Sequence, residues 1–346
     1  MMARDLTEAF QDLHTALSEA QRILLSTHEN PDGDGLGSLL AMCEHLKSLG
    51  KDCRALIDSK VPVTLQFMDP EGWLEEFDPK GDVEWLAGCD MGVVFDLGSY
   101  QRLGSLGATL QRLAIPITVI DHHPPEGYKR DGEKPSFKYS LVDREAPAAG
   151  TLVWQYLKTY RQEPITLTMA TALYTALITD TGSFKYNNTG VVAHLMAIDL
   201  LEAGIRPYDI HKLVFERRTL AQARLLGVLI DNMKFTEDQR IGWCVISRER
   251  LEQAGAQLED IDGFSEFIRT IKGIEVALLL TELEPGSTKV SLRSKGRVAI
   301  NDVAQQLGGG GHAYASGVIL EKPWSETLRQ LLPLVEAKVA TLALSE

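Results

Sequence analysis

Four separated segments of the chain carry side chains of the kind that bind metal ions. They are His28, Asp32 and Asp34 in "STHENPDGDGLG" (26–37), Asp96 at the end of "GVVFD", Asp121, His122 and His123 in "ITVIDHH", and Asp180 closing "ATALYTALITD". Carboxylates gathered within a few ångströms repel by about 1 kcal/mol or more per pair at intermediate dielectric, and a cation removes that cost. A carboxylate and imidazole set without thiolates suits Mn²⁺ or Mg²⁺, with Zn²⁺, Fe²⁺ or Co²⁺ also compatible; the histidines favour Mn²⁺. Each residue alone also has a plain structural reading. Asp32 and Asp34 in a Gly-rich turn can be turn formers or caps, Asp96 and Asp180 caps, and the triplet at 121–123 a solvated loop. The conjunction of four segments outweighs any single member.

The elements that must position these residues are legible from periodicity. "RILLSTH" (22–28) reads as a buried strand, "LGSLLAMCEHLKSLG" (36–50) as a helix closed by Gly50, and "CRALID" (53–58) as a second strand. "MGVVFD" (91–96), a helical "LGATLQRL" and "PITVID" (116–121) continue the alternation, which argues for a parallel sheet covered by helices. Ligands bind outside the carboxyl ends of such strands, so the acids and histidines of the first three segments should share one edge.

From 146 to 205 the pattern turns helical, and 206–235 reads as one long helical stretch able to bridge two domains. "IGWCVIS", "IEVALLLTEL" and "KVSLRSK" follow as strands of a smaller unit, with "DGFSEFIRTI" as a helix between the first two. The expected architecture is α/β: a parallel-sheet domain that carries the metal-type residues (1–205), a helical linker (206–235) and a smaller α/β domain (236–346).

A chain of 346 residues exceeds what one core usually serves, which agrees with two domains. Its formal charge of −13 is uneven: residues 1–200 hold 17 Lys and Arg against 28 Asp and Glu, or −11, leaving −2 for the remainder. That balance disfavours a long duplex nucleic acid as partner and leaves room for a small anion held by local cations or a metal. Four cysteines without C-x-x-C spacing suggest free thiols in a reducing compartment. The charged amphipathic amino end and the lack of an 18-residue apolar run predict a soluble, cytoplasmic protein with no membrane partner.

"HENPDGD", "VVFD", "IDHHPP" and "LITDTGSF" resemble the four successive motifs of the DHH phosphoesterase superfamily, and "GGGGHAYASG" preceded by "VSLRSK" resembles its DHHA1 domain. Within the superfamily the chain is most similar to the small bacterial enzymes that hydrolyse nano-RNA and dephosphorylate 3'-phosphoadenosine-5'-phosphate (pAp). The resemblance implies two Mn²⁺ ions, with Mg²⁺ or Co²⁺ as substitutes. His28, Asp32 and Asp96 would bind one, and Asp34, Asp96, His122 and Asp180 the other. It implies catalytic roles for Asp96 as the bridge and for His123 as the contact to the scissile phosphate, with Asp121 orienting its neighbours, and it makes 1–205 the catalytic, metal-binding domain and 236–346 the substrate-binding domain, with the active site in the cleft between them.

For the substrate, "KVSLRSKGR" (289–297) holds four cations and no acid. Arg293, with Ser294 and Lys295, is a candidate for a terminal phosphate because guanidinium matches phosphate bidentately; the alternative is a strand with solvated cations. "LGGGGHAYASG" (307–317) offers unhindered backbone N–H groups able to cradle an anion, and beside the resemblance Gly310, Gly311 and His312 are candidates for nucleotide binding. The expected activity is hydrolysis of RNA of about two to five nucleotides and of pAp, by a monomer or homodimer. The rivals are a phosphodiesterase for linear or cyclic dinucleotides (pApA, pGpG, cyclic-di-AMP) and a nucleotide-binding regulator without turnover.

Overall fold

The structure is a computed structural model that describes residues 6–123, 137–261 and 263–344. Pro124 and Pro125 of "IDHHPP" and the side chain of His312 lie outside the described residues. The chain divides into two compact units, Met1–Arg217 and Arg218–Glu346.

The first unit holds strands β1 (Arg22–Thr27), β2 (Asp52–Ile57), β3 (Leu74–Glu76), β4 (Met91–Phe95), β5 (Ile117–Asp121) and β6 (Phe137–Val142). Its helices are α1 (Leu6–Glu19), α2 (Gly33–Ser48), α3 (Val83–Ala87), α4 (Gly104–Arg112), α5 (Ala149–Tyr160), α6 (Leu167–Asp180), α7 (Val191–Glu202) and α8 (Pro207–Phe215). The strands form one sheet in the order β3-β2-β1-β4-β5-β6, with every neighbouring pair parallel. Ile23, Leu24 and Leu25 of β1 and Val93, Val94 and Phe95 of β4 are fully buried, as strands covered on both faces must be. One face packs against α1, α2, α5 and α6, and the other against α3 and α4. The strand order reverses between β1 and β4, so their connections depart in opposite directions and leave a crevice at their carboxyl ends.

The "PDGDG" segment is less of a turn than its composition suggests. Helix α2 begins at Gly33, three residues ahead of the expected start, and its glycines serve close approach rather than unusual backbone angles. A Cβ on Gly33 would lie 2.6 Å from the Thr179 side chain, one on Gly35 2.2 Å from Thr27 Oγ1, and one on Gly37 2.3 Å from the carbonyl of Ala172. Without side chains at these three positions, α2 can press against β1 and α6.

The stretch 206–235 is two helices rather than one: α8 ends at Phe215 in the first unit, and α9 (Leu220–Asn232) opens the second. Thr219 starts α9 afresh, its hydroxyl accepting from the Gln222 amide while the Gln222 side chain accepts from the Thr219 amide. This reciprocal cap satisfies two otherwise orphaned donors.

The second unit contains β7 (Lys234–Phe235), β8 (Ile241–Ile246), β9 (Val276–Glu284), β10 (Ser287–Ser294), β11 (Gly310–His312) and β12 (Ala315–Leu320). Its other helices are α10 (Arg248–Ala254), α11 (Phe264–Thr270), α12 (Asn301–Gln306) and α13 (Trp324–Ala340). The sheet order is β11-β12-β10-β9-β8-β7, with β8 and β9 parallel and the other pairs antiparallel. A parallel pair needs a long crossover, which the segment carrying α10 and α11 supplies. Leu331, Val335 and Val339 of α13 fill the core on one face; residues of α9, α10 and α11 fill it on the other. Among the described residues no helix is long and apolar enough to cross a membrane.

Candidate metal centre

Each arm of the site is held by a backbone feature that its sequence explains. His28 follows the last residue of β1, and Asp32 is the N-cap of α2, where its Oδ1 accepts from the amides of Asp34 (3.0 Å) and Gly35 (3.1 Å). Asp34 lies in the first turn of α2, wholly buried. Its two oxygens accept from the amides of Ala149 (2.6 Å) and Gly150 (2.8 Å) at the start of α5, and Ser38 Oγ adds a third donor at 3.3 Å. Asp96 follows β4 with φ of 49°, a left-handed conformation that costs on the order of 1–3 kcal/mol outside glycine, although Asp tolerates it better than most residues. Asp121 is the last residue of β5 and Asp180 the last of α6.

The side chains converge in two overlapping sets. Nε2 of His28 stands 3.8 Å from Asp32 Oδ2 and 3.6 Å from Asp96 Oδ2. Nε2 of His122 stands 3.8 Å from Asp34 Oδ2, 3.5 Å from Asp96 Oδ1 and 3.7 Å from Asp180 Oδ2. Asp96 thus turns one carboxylate oxygen to each histidine. Donor atoms of His28, Asp32 and Asp96 lie within 4.8 Å of one another, as do those of Asp34, His122 and Asp180, and those of Asp96, Asp121, His122 and His123.

These distances bear on whether the residues suit a cation. His28 Nε2, His122 Nε2 and Asp96 Oδ1 are buried and have no hydrogen-bond partner among the described residues, although orphaned buried polar atoms are rare and costly. Two ligands about 2.1 Å from a common ion can be at most about 4.2 Å apart, and the separations of His28 and His122 from their carboxylates fall inside that limit while exceeding a good hydrogen bond. The donor set is mixed carboxylate and imidazole and contains no thiolate, as hard to borderline divalent ions prefer. The residues therefore fit a divalent metal.

Proton affinities show the electrostatic frustration of the bare cluster. Burial opposes the charged form of all three histidines but is outweighed by carboxylate partners. His28 is pushed up to about 9 by the carboxylates of Asp32 and Asp96 beside it, and His122 to about 10 by Asp96, Asp34 and Asp180. His123 rises to about 10 through Asp121 and Asp96. Burial and then the charges of Asp96 and Asp180 hold Asp34 well above the usual carboxylate range, and burial raises Asp180 to about 6. Asp96 goes the other way: burial disfavours its charge, yet the imidazoles of His122, His123 and His28 around it keep it well below the ordinary value.

Asp121 has a different task. It is fully buried; Oδ2 accepts from the amides of Leu97 (2.7 Å) and Gly98 (2.8 Å), and Oδ1 from the amides of His122 (2.7 Å) and His123 (2.9 Å). The same Oδ1 lies 2.8 Å from His123 Nδ1, which also stands 3.2 Å from Asp96 Oδ1. Asp121 thereby fixes the loop after β4 and the ring of His123. Two further residues escaped the sequence reading. Arg102 places Nη2 2.7 Å from His28 Nδ1, which also lies 2.7 Å from the Glu29 carbonyl; Nδ1 cannot accept from the guanidinium and donate to the carbonyl at once, and only the tautomer that donates to the carbonyl leaves the Nε2 lone pair for a cation. Asn188 is the other, with Nδ2 3.2 Å from Asp180 Oδ2. Arg102 lies outside every quoted motif, and "NNT" after a helix end reads as turn residues.

The remaining candidates lie in the second unit. Arg293, Ala315 and His312 form one cross-strand row over β10, β12 and β11. The Arg293 guanidinium is paired with Glu266 of α11, Lys295 Nζ donates to the Ile271 carbonyl at 2.6 Å, and Ser294 is buried. Gly310 and Gly311 belong to edge strand β11, so this part of the glycine run is a ladder rather than an open loop. A Cβ on Gly309 would meet the Gly317 carbonyl at 2.2 Å, and one on Gly311 the Ala315 carbonyl at 2.6 Å, whereas Gly310 faces open space.

Models of the DHH family N-terminal domain and of the DHHA1 domain match residues 22–177 and 244–341. The bifunctional oligoribonuclease and PAP phosphatase NrnA of Thermus thermophilus is 33% identical over 302 residues, spanning 86% of this chain and 84% of that protein. The probable bifunctional oligoribonuclease and PAP phosphatase NrnA of Streptococcus mutans is 25% identical, spanning 89% and 93%. The crystal structure of an exopolyphosphatase-related protein from Bacteroides fragilis superposes with a TM-score of 0.88 over 96% of both chains at 23% identity, a likeness of fold. The chain belongs to the DHH family and carries a DHHA1 domain within its second unit.

Proposed function

We propose that the protein is a cytoplasmic two-metal phosphoesterase that hydrolyses short oligoribonucleotides to mononucleotides and removes the 3'-phosphate of pAp. The observation that carries this reading is the Asp96 carboxylate, placed between His28 and His122 so that one residue serves two donor sets. His28, Asp32 and Asp96 would hold one divalent ion, Mn²⁺ by preference, and Asp34, Asp96, His122 and Asp180 the second. When bound, such a pair supplies Lewis-acid stabilisation and a nucleophile at neutral pH.

The chain's own residues would do the rest. Asp121 fixes the His123 ring, and His123 would contact a phosphate oxygen or give a proton to the leaving oxygen. Arg293, with Ser294 and Lys295 beside it, would take the terminal phosphate of the substrate, exchanging its partner Glu266 for a phosphate that accepts bidentately. Backbone amides at Gly310, Gly311 and His312 would add neutral donors. The substrate class draws its support from the relatives' named activities.

The deciding experiment incubates Mn²⁺-loaded protein with labelled two- to five-nucleotide RNA, 24-nucleotide RNA, pAp, cyclic-di-AMP and pyrophosphate. Rapid loss of the short RNAs and of pAp, with the 24-mer slow, is the expected result. Fast pyrophosphate cleavage with inert RNA would sink the reading, and binding of pAp without product would make the protein a sensor.

A further inference from the structure

We propose that Asn188, outside the motif residues, is a positioning residue of the metal centre: it holds the Asp180 carboxylate and ties that arm to the segment anchoring Asp34. The proposal rests on the metal-centre reading above.

Asp180 closes α6, and the chain then reverses through Gly182, Ser183 and Phe184, whose φ values are 54°, 57° and 63°. For Ser183 and Phe184 this region is unfavourable and persists only where the surroundings impose it. The imposed contacts are present. The Ser183 amide donates to the Ile178 carbonyl (2.8 Å), the Phe184 amide to Thr181 Oγ1 (3.1 Å), and the Tyr186 ring covers Gly182 so closely that a Cβ there would lie 2.4 Å from it. The turn brings Asn188 back to a residue eight positions earlier.

Asn188 Nδ2 lies 2.8 Å from the Pro147 carbonyl, 3.1 Å from the Asp180 carbonyl and 3.2 Å from Asp180 Oδ2. All three neighbours are acceptors, so the amide must present its NH₂ group to them. Its own Oδ1 is buried without a hydrogen-bond partner among the described residues, which is unfavourable for an acceptor out of reach of water. A half-buried side chain that keeps its acceptor idle is there for its donors. Pro147 lies two residues before Ala149, whose amide, with that of Gly150, holds Asp34. One amide group thus links the arms of the two carboxylates that face His122 from 3.7 and 3.8 Å, and so sets a spacing that their mutual repulsion would otherwise widen.

The test is Mn²⁺ titration by calorimetry, without substrate, on wild type, Asn188→Ala, Asn188→Asp, Asp180→Ala and the Asp180→Ala/Asn188→Ala double variant. Loss of a residue that orients a metal ligand typically weakens binding about 10–100-fold, and that loss is expected at one of two sites for Asn188→Ala. Asn188→Asp, which sets a second carboxylate against Asp180, should lose at least as much. In the Asp180→Ala background Asn188→Ala should cost nothing further, because residues acting through one another are not additive; an additive loss marks a merely structural role and overturns the proposal. Wild-type affinity at both sites in Asn188→Ala and Asn188→Asp overturns it too. A wild-type protein that binds no Mn²⁺ overturns the metal centre itself.

Discussion

Asp121 Oδ1 receives His123 Nδ1 at 2.8 Å while the same carboxylate accepts four backbone amides, so one buried acid defines both a ring and the two loops beside it. Asp121→Asn keeps the shape but replaces one acceptor oxygen with a donor facing donors. Removing a group that orients catalytic or metal-ligating side chains typically costs about 10–100-fold. Turnover of pAp should fall by that factor; unchanged turnover would show that His123 needs no orientation.

Asp96→Ala removes an oxygen from both donor sets. Calorimetric Mn²⁺ stoichiometry should fall below two and hydrolysis should disappear. Near-normal turnover is the outcome that refutes the bridging assignment.

Gly→Ala in a helix ordinarily stabilises by about 0.5–1 kcal/mol. Gly227 of α9, where an added Cβ would meet nothing within 4 Å, should follow that rule. Gly35→Ala should do the opposite. Its Cβ would press on Thr27 Oγ1, the donor of a 2.9 Å hydrogen bond to the Phe95 carbonyl that joins β1 to β4. Overpacking predicts a loss of about 1–3 kcal/mol, measured as a lower urea midpoint, and a gain in stability for Gly35→Ala would contradict the close packing of α2 on β1.

His45 supplies a pH dependence away from the metal centre. Burial, then the charge of Arg161 beside it, lowers its pKa to about 4, and its Nδ1 lies 3.3 Å from Arg161 Nη1. Because the unfolded chain takes up this proton first, near the ordinary 6.5, the contribution is complete above that pH and is lost as the pH falls towards 4. The difference corresponds to about 3 kcal/mol at most. His45→Gln should therefore flatten the fall in unfolding free energy between pH 7 and pH 4.5, and an identical slope in both proteins would place the acid sensitivity elsewhere.

The first sheet was legible because its strands are short, apolar and β-branched, and because each of three ends in an acid or histidine. Strand β3 was not: "LEE" is three residues with two charges at a sheet edge, and it carries no periodicity. The break between α8 and α9 was missed because "ERRTLAQ" has no Gly or Pro, and the stop depends on a local Thr219–Gln222 exchange. Asp32 shows a limit of another sort. Capping and metal ligation looked like rival readings, yet Oδ1 caps α2 while Oδ2 faces His28. Residue type can propose either role; only geometry reveals that two oxygens allow both. Asn188 and Arg102 lie against residues 8 and 74 positions away in sequence, which no local pattern encodes.

The double engagement of Asp32 also bears on entropy. A surface aspartate normally samples several rotamers and must surrender that freedom when it captures an ion. Here the helix cap has already frozen the side chain during folding, so the most solvent-exposed ligand of the centre meets a cation pre-set in orientation. Ion capture at this arm should accordingly proceed with little reordering of the chain.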